Sequence, residues 1–525
     1  MREQIRKLLI LSGWLLIAAA CLLCFPVRAF ADERDGGGFK NTDLYETLEE
    51  AFGPSARTLD GEILLEWEAD KADEIRYFRV QVSAGDGKCF FSFKLPADAR
   101  SFTFDTGKHG KCYHIALFMS DSVGTETEIL SCERMFLNFS EMPDLPVVEI
   151  HTDSGKNPQF AEAVKPDESL PGATITDNEY IPGELQIRVG GNVTDYGKME
   201  IRARGNTSAV LRNRTPYKIK LEEKADLLGR EGSAYKDKHW VLLNSPLELN
   251  SEVGFVFGEA MGFDWTPHFM FVNVIMNDDY RGIYILAENV RRGETRVDIK
   301  KDGFIIENDA YYWNEDVYFQ TDALGSRCGY TFKYPDVTPE AGEYIESVRK
   351  YMNKVDGMIL DANPELGNYI DMESFARWML FHDILGSRDP AGSNIFLNIK
   401  SFDPEDPTKY KLKMGPVWDL ETAFGSGEGY SALHLQTTHL LSKLFLSDEF
   451  KKAYRNEWKK ISGDCEDMLL DALHSFDGQA DAISKSRVLT RERTGERSLP
   501  VGEEVKRLEK VIKARVEFMR AELGK

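Results

Sequence analysis

Cysteine and histidine are scarce in this 525-residue chain, and beyond residue 31 neither occurs at the spacing of a metal or redox site. Two of the seven cysteines fall within residues 1–31, and the rest of the sequence has no Cys-x-x-Cys pair. The nine histidines include no His-x-x-x-His pair. Zinc ribbons, thioredoxin-type redox centres and helical zinc sites are therefore not predicted. Three of the other five cysteines lie within residues 89–132, so the spacing allows one local disulfide there, with its pairing left open.

Long apolar segments are absent beyond the first 25 residues, since no later run approaches the roughly 18 residues of a transmembrane helix. The apolar stretch at residues 8–25 follows a cationic start and precedes Ala29-Phe30-Ala31. This combination predicts a signal peptide over residues 1–31, with a retained membrane anchor as the alternative. We therefore expect an exported protein, secreted or at the cell surface, that is not attached to a membrane after cleavage.

Basic residues are fewer than acidic ones. The chain has 65 Lys and Arg residues against 87 Asp and Glu residues, which gives a net charge of −22. This balance argues against nucleic acid and anionic membranes as partners, and it favours a protein substrate with basic or Lys-rich segments. The oligomeric state is not indicated. With 42% hydrophobic residues, the chain has enough apolar side chains to build real cores.

The first part of the chain after the signal segment has a strand-like pattern. Residues 32–58 contain three consecutive glycines and are predicted to be a linker. Between residues 59 and 140, short runs of alternating apolar residues, such as Ile63, Leu65 and Trp67, are separated by Gly and Asp turns. Such runs are typical of a small all-β sandwich. The runs LLEWEAD, YFRVQVS, SFTFDTG and CYHIALFMSDSVG resemble a fibronectin type III-like domain, which implies a role in spacing or adhesion.

Residues 145–525 are predicted to form a larger α+β domain. Strands are predicted at residues 197–204, 217–221, 239–243, 269–276, 282–287 and 303–307, and helices at about 339–358, 371–385 and 502–523. A β-rich half followed by an α-rich half indicates two lobes with a cleft between them. Because the sandwich and this domain are expected to have separate cores, we expect the sandwich to be removable.

The most informative stretch is GSRDPAGSNIFLNIK, residues 386–400. Asp389 is followed five residues later by Asn394, which is the Asp-x-x-x-x-Asn spacing of protein-kinase catalytic loops. A second acid, Asp419 in GPVWDLETAFG, stands after a predicted strand, where a metal-binding aspartate is expected. Phosphoryl transfer needs such groups because the charge on the phosphate chain must be neutralised. On its own, an Asp and an Asn in a Pro/Gly loop also stabilise turns, and that interpretation stays open.

Other segments occur with these two in one order. They are RARGNTS (202–208), TPYKIKL (215–221), WVLLNSP (240–246), DDYRGIYILAENV (278–290), GFIIEND (303–309), KYPD (333–336), RDPAGSN (388–394) and GPVWDLETAFG (415–425). Together they resemble the spore coat protein H (CotH) kinase family of secreted, atypical protein kinases. The resemblance covers about residues 145–525 and implies an atypical protein-kinase-like, two-lobed domain that uses ATP and Mg²⁺.

The resemblance also implies roles for the acidic and amide residues. Asp389 would be the catalytic-loop aspartate, Asn394 its metal-binding asparagine and Asp419 the main Mg²⁺ ligand. Family members often read Trp-Asp-Phe-Asp where this chain has Leu420-Glu421, and Glu421 would still supply an oxygen ligand. They also often carry Asn at the position of Ser387. The first change raises the chance of reduced activity.

Further residues are implied in nucleotide binding. Lys218 or Lys220 would be the strand lysine that contacts the phosphates, and alternation places both on the same face. Arg204 and Asn206 belong to a loop with the turn chemistry to cover phosphates with backbone N–H groups, although a plain hairpin turn fits equally well. Glu288 would pair with the strand lysine, and Glu307 would mark the hinge on the adenine side.

The function that this resemblance implies is an exported, Mg²⁺-dependent Ser/Thr protein kinase. The alternative is a non-catalytic surface or spore-coat protein that uses the same fold for adhesion or assembly. A kinase fold acting on a non-protein acceptor is a third possibility. The set Asp389, Asn394 and Asp419 favours catalysis, because a pure binding module does not need these three residues.

Overall fold

The computed structural model describes most of the chain from residue 55 to residue 524. The described ranges are 55–59, 62–67, 74–84, 89–104, 110–135, 137, 142–162, 165, 167–168, 170, 175–176, 179–205, 213–245, 247–324, 328–387, 394–425, 431–437 and 440–524. The predicted signal peptide and most of the predicted linker lie outside them. Within the described residues, no helix combines the length and apolar character needed to cross a membrane.

The first described region is all-β, as the alternating pattern predicts. Its strands are β1 (Ser55–Leu59), β2 (Glu62–Glu66), β3 (Ile75–Ala84), β4 (Cys89–Pro96), β5 (Ser101–Phe104), β6 (Cys112–Asp121) and β7 (Glu126–Met135). They form two antiparallel sheets, in the orders β1-β2-β5 and β4-β3-β6-β7. Leu65, Phe78, Val80 and Ile115 are fully buried in one core between the strands of both sheets. The likeness to fibronectin type III domains stays a prediction.

The local disulfide that the cysteine spacing allows is not formed. Cys112 in β6 and Cys132 in β7 are both free thiols, although their strands are neighbours. The register explains this, because Cys112 lies opposite Met135 and Cys132 lies opposite Ile115. Burial raises the pKa of the Cys112 thiol to about 11, so this group stays protonated at neutral pH.

The next region is a closed barrel of seven strands. They are β8 (Val147–Thr152), β11 (Ile181–Val189), β12 (Asn192–Ala203), β13 (Tyr217–Ala225), β14 (Asp237–Leu243), β15 (Phe269–Met276) and β16 (Asp279–Glu288). The order around the barrel is β11-β12-β13-β14-β16-β15-β8. Strand β8 closes it by pairing antiparallel with β11 and parallel with β15. A separate short pair, β9 (Ala161–Glu162) and β10 (Ile175–Thr176), lies between β8 and β11 in sequence.

Alternation along each strand fills the barrel with apolar side chains. In β13, Tyr217, Ile219 and Leu221 are buried in the interior cluster. Lys218 and Lys220 therefore lie on the outer face of the barrel, since successive side chains of a strand point to opposite faces. This confirms that the two lysines share a face.

The second half of the chain adds a mixed set of strands and helices. A five-stranded sheet has the order β18-β19-β17-β20-β21, from β17 (Phe304–Asp309), β18 (Tyr318–Phe319), β19 (Gly329–Tyr334), β20 (Ile395–Ile399) and β21 (Lys413–Met414). The helices are α1 (Asn250–Ala260), α2 (Gly342–Leu360), α3 (Met372–Leu385), α4 (Asp448–Ile461), α5 (Cys465–His474), α6 (Ala480–Thr494) and α7 (Val501–Leu523). One large core joins these elements to the outer face of β14–β16. The α+β class is thus confirmed, while the two-lobed, kinase-like form stays a prediction.

The all-β region and the barrel meet at a buried carboxylate. Asp279, at the start of β16, is fully buried and accepts a hydrogen bond from the backbone N–H of Met135 in β7 at 3.0 Å. Arg281 and Arg493 both donate to its carboxylate, at 2.8 and 2.9 Å. Met135 also joins Tyr280 in a small apolar cluster at this junction. The cores of the two regions are therefore distinct but linked.

The pairing of β8 with β11, which closes the barrel, can be tested by substitution. A Cβ added to Gly183 in β11 would lie 2.4 Å from the backbone oxygen of His151 in β8, whereas one added to Gly191, in the β11–β12 turn, would meet nothing within 4 Å. Gly183→Ala is expected to lower the free energy of unfolding by about 1–3 kcal/mol, because backbone atoms must shift. Gly191→Ala is the matched control, expected to stay within about 0.5 kcal/mol in urea unfolding. Equal stability of the two variants would argue against the β8–β11 pairing.

Candidate functional site

Two segments that the sequence singled out are joined by hydrogen bonds where the first one begins. The first follows α3, which ends at Gly386 in the left-handed conformation, and the second follows β21. The hydroxyl groups of Ser387 and Thr422 lie 3.1 Å apart, within hydrogen-bonding distance. The backbone N–H of Phe424 donates to the carbonyl oxygen of Leu385 at 2.9 Å. We call residues 386–394, of which the structure describes 386, 387 and 394, the first site segment, and residues 415–425 the second site segment.

The predicted metal ligands in both segments have unusual backbone conformations. Asn394 has a φ of 58° and Asp419 a φ of 51°, which are left-handed values. Such values are uncommon for residues other than glycine, although Asn and Asp adopt them more readily than most, and they recur at functional sites. Both residues are half-buried, so their side chains keep access to solvent. Asp389 lies outside the described residues, and its place at the site stays a prediction.

Arg204 connects the barrel to the second site segment. It follows the end of β12, and its guanidinium carbon lies 5.6 Å from the centroid of the Trp418 ring, a distance at which the cation is attracted to the ring face. Trp418 is itself buried against Phe255 of α1 and Phe396 of β20. Arg204, predicted to belong to a phosphate-covering loop, thus lies against the residue that precedes Asp419 in the chain. Asn206, from the same loop, lies outside the described residues.

The two candidate lysines have different neighbours, although they share the outer face of β13. The Nζ of Lys220 lies 2.7 Å from a carboxylate oxygen of Glu200 on β12, and both side chains are nearly half exposed. The charges of Lys218 and Arg202 instead act on Glu315, where the charge of Lys333 is the largest cause of a lowered pKa. Lys218 therefore lies close enough to the charged residues around Glu315 to affect it, and Lys220 is engaged in a surface ion pair.

Those charged residues centre on Lys333 of β19. Its Nζ lies 2.9 Å from Glu307 and 3.6 Å from Glu315. Burial lowers the pKa of Lys333, but the charges of Glu307 and Glu315 outweigh burial and raise it, so the ammonium stays charged. Glu307, predicted as an adenine-side residue, is thus buried in an ion pair. Its strand neighbour in β20 is Phe396, two residues after Asn394.

The predicted pairing of Glu288 with a β13 lysine is wrong. Glu288 lies opposite Trp240, whose side chain points into the barrel, whereas the lysines point outward. Its carboxylate instead accepts hydrogen bonds from Arg230 at 2.8 Å and from the indole N–H of Trp265 at 3.0 Å. Burial raises the pKa of Glu288, but the hydrogen bond from His268 and nearby arginine charges lower it to about 2. Glu288 therefore lies among basic side chains at the end of β16, and its part in nucleotide binding stays a prediction.

The donors that could hold a divalent cation are oxygens. Among the described residues, no group of three or more His, Cys, Asp and Glu side chains has the arrangement of a metal site. The amide of Asn394 and the carboxylate of Asp419 are hard oxygen ligands, which is the donor chemistry that Mg²⁺ prefers. Glu421 is half-buried, and its backbone carbonyl accepts a hydrogen bond from Asn250 of α1 at 3.0 Å. The donor set therefore fits Mg²⁺.

Sequence analysis did not assign site roles to several residues that hold the two segments. Ser387 appeared there as a departure from the family pattern, and the structure gives its hydroxyl a partner in Thr422. Trp418 is a buried core residue that also faces Arg204. Lys333 belongs to the KYPD segment quoted above, but no role in the site was predicted for it.

Comparison with known proteins gives one family. A family model described as CotH kinase protein matches residues 201–472, which is just over half of the chain. The matched residues include both site segments, Lys218 and Lys333. The chain has no significant match among curated proteins.

Proposed function

The chain belongs to the CotH kinase protein family, and from this membership we propose that it is an exported, atypical Ser/Thr protein kinase. It would transfer the γ-phosphate of ATP to protein hydroxyl groups with the help of Mg²⁺. One observation carries the proposal beyond family membership. Asn394 and Asp419 both have left-handed backbone conformations, and they stand on two segments that hydrogen bonds join at Ser387 and Thr422.

In this proposal each residue has a distinct task. Asp419 and Asn394 would hold Mg²⁺ together with Glu421, and the ion would supply positive charge next to the phosphate chain. Asp389 accepts the hydrogen bond that orients the acceptor hydroxyl. Lys218 supplies a positive charge for the nucleotide phosphates from the outer face of the barrel. Electrostatic preorganisation of this kind is usually the largest part of phosphoryl-transfer catalysis.

The family name also supports a place in the spore coat, and the predicted signal peptide supports export. The rival proposal is a non-catalytic coat or adhesion protein with the same fold. It differs in needing neither nucleotide nor metal. The acidic balance of the chain favours basic acceptor segments, because a net charge of −22 attracts them over a distance.

The test uses the chain without residues 1–31. Its melting temperature is measured with ATP, Mg²⁺ and both, and labelled phosphate transfer is then followed to Lys-rich and acidic Ser/Thr peptides over a salt series. We expect stabilisation that requires ATP and Mg²⁺ together, and faster transfer to the Lys-rich peptide at low salt. A protein that neither binds nucleotide nor transfers phosphate would favour the coat or adhesion function.

Lys218 and Lys220 form a matched pair for a second test. Lys218→Met is expected to weaken Mg²⁺-ATP binding about tenfold or more, since a charge-assisted hydrogen bond contributes about 1.5–3 kcal/mol. Lys220→Met removes the same charge from the same face but only breaks an exposed ion pair, so it should change binding less than threefold. Isothermal titration with ATP and Mg²⁺ measures both. The reverse ranking would identify Lys220 as the phosphate ligand.

A further inference from the structure

The C-terminal helix α7 carries a buried arginine that reaches the end of α3. The Nε of Arg515, a residue only 2% exposed, donates to the carbonyl oxygens of Asp383 at 2.9 Å and Ile384 at 3.3 Å. Carbonyls in the last turn of a helix lack helical partners, and this end of the helix carries partial negative charge. A guanidinium therefore stabilises the end of α3, from which the first site segment begins.

The same arginine also reaches the chain beyond the second site segment. Its Nη2 donates to the carbonyl oxygen of Ala432 at 2.8 Å. Arg507, two turns earlier on α7, donates to the carbonyl oxygen of Phe424 at 3.4 Å. Helix α7 thus contacts the chain before the first segment, at the end of the second and after it.

The buried carboxylate of Asp383 connects the end of α3 to further residues. The Oδ2 of Asp383 accepts hydrogen bonds from the hydroxyl of Tyr454 in α4 at 2.7 Å and from the side chain of Gln436 at 3.2 Å. Burial raises the pKa of Asp383 to about 6, against the opposing effects of these hydrogen bonds and of the Arg515 charge. We call Arg515, Asp383, Tyr454 and Gln436 the Arg515 cluster.

We propose that Arg515 is a positioning residue of the kinase site: through its cluster it fixes the two site segments relative to each other. The inference rests on the proposed function, and it assigns a task to a helix beyond the residues that the family model matches. The planar guanidinium bridges the carbonyls of α3 and of Ala432 at once. A lysine ammonium is a point charge that cannot reproduce this fork.

The experiment compares Arg515→Lys with Arg520→Lys. Arg520 is on the same helix, but it contacts the carbonyl of Ser462 and the carboxylate of Glu466, away from both segments. At a temperature where both variants are folded, Arg515→Lys is expected to lower kcat about 10- to 100-fold, the cost of a misplacement near 1 Å. The KM for ATP should change less than threefold. In Arg515→Lys, measured without nucleotide or metal, the rate of hydrogen exchange should rise at least tenfold in peptides covering residues 381–387 and 422–425. Arg520→Lys should leave both kcat and the exchange rate near the wild-type values.

The possible results distinguish the proposed kinase function from the positioning role of Arg515. A wild-type protein without phosphoryl transfer would overturn the proposed function, while the exchange measurement still tests whether Arg515 holds the segments. A lower melting temperature with unchanged kcat and exchange would overturn the positioning role. If Arg515→Lys does not fold, Tyr454→Phe removes one hydrogen bond of the cluster and should change kcat and exchange in the same direction by less. Unchanged values in folded Tyr454→Phe would then overturn the proposal.

Discussion

Asp419→Asn is expected to lower turnover about 10³-fold and to weaken Mg²⁺-dependent ATP binding at the same time. The substitution keeps the shape of the side chain and tolerates the left-handed backbone, but it removes a formal charge from the metal site. A 10³-fold loss corresponds to about 4 kcal/mol of transition-state stabilisation. Asp389→Asn should lower turnover by a similar factor while leaving ATP binding nearly intact, because it orients the acceptor rather than the nucleotide.

The measurement is steady-state phosphoryl transfer combined with titration of ATP at several Mg²⁺ concentrations. Asp481→Asn, an exposed aspartate in the first turn of α6, is the control for a lost carboxylate. Circular dichroism and melting curves must show that all three variants fold. Wild-type transfer and wild-type Mg²⁺-ATP affinity in folded Asp419→Asn and Asp389→Asn would refute the catalytic assignment.

Asp279→Asn is expected to lower the free energy of unfolding by about 3–5 kcal/mol, the usual cost of breaking a buried ion pair from one side. The fully buried carboxylate receives hydrogen bonds from Arg281 and Arg493 and from the backbone of Met135. Removing its charge leaves Arg281 without the carboxylate it binds and leaves Arg493 with only the exposed Glu133. Glu133→Gln is the control, because Glu133 pairs with the same Arg493 but is 60% exposed, so its loss should cost less than about 1 kcal/mol.

The difference in the free energy of unfolding between wild type and Asp279→Asn is expected to depend on pH in one direction. Burial raises the pKa of Asp279, but Arg281 and Arg493 outweigh burial and hold it below the ordinary value of 3.8. The stabilisation is therefore complete above pH 3.8 and is lost as the pH falls through the folded-state pKa. Urea unfolding from pH 7 to pH 2 should show a constant difference between wild type and Asp279→Asn at first, and a shrinking one in the acid range. A constant difference at all pH values would assign the effect to packing.

Asp279 also bears on whether the all-β region can be removed. Separate cores predict that residues 59–140 are dispensable, and the main core of this region is indeed distinct. Its deletion would nevertheless take away the Met135 N–H and the apolar cover at the junction. That residues 59–140 can be deleted therefore stays a prediction. The shortened protein is expected to lose some stability, because Tyr280 and its neighbours become exposed.

Periodicity predicted where strands and helices lie, but not which strands are neighbours. The strand at residues 269–276 was predicted with its observed bounds, and the helix at 502–523 within one residue. Barrel closure was missed because β8 pairs with β11 and with β15, which lies over 100 residues further along the chain. Helix α1 was missed because Gly254 and Gly258 lower its helix propensity and most of its residues are buried, which hides the amphipathic pattern.

The site shows the same division between local and long-range information. The Asp-x-x-x-x-Asn spacing and the Trp418-Asp419 segment were visible in sequence, because residue types and short distances along the chain are enough. The wrong pairing of Glu288 arose because its face depends on the register opposite Trp240, which no local pattern records. Lys218 and Lys220 could not be distinguished until Glu200 on the adjacent strand was placed.

Barrel closure has a practical consequence for the expression of only those residues that the family model matches. A protein that starts at residue 201 and ends at residue 472, as the family match suggests, would lack β8, β11 and most of β12. Strands β13 and β15 would then lose a neighbour each and present unpaired backbone N–H and C=O groups along an apolar sheet. Exposed edges of this kind recruit strands from other molecules, so the shortened protein would aggregate for a reason unrelated to its chemistry.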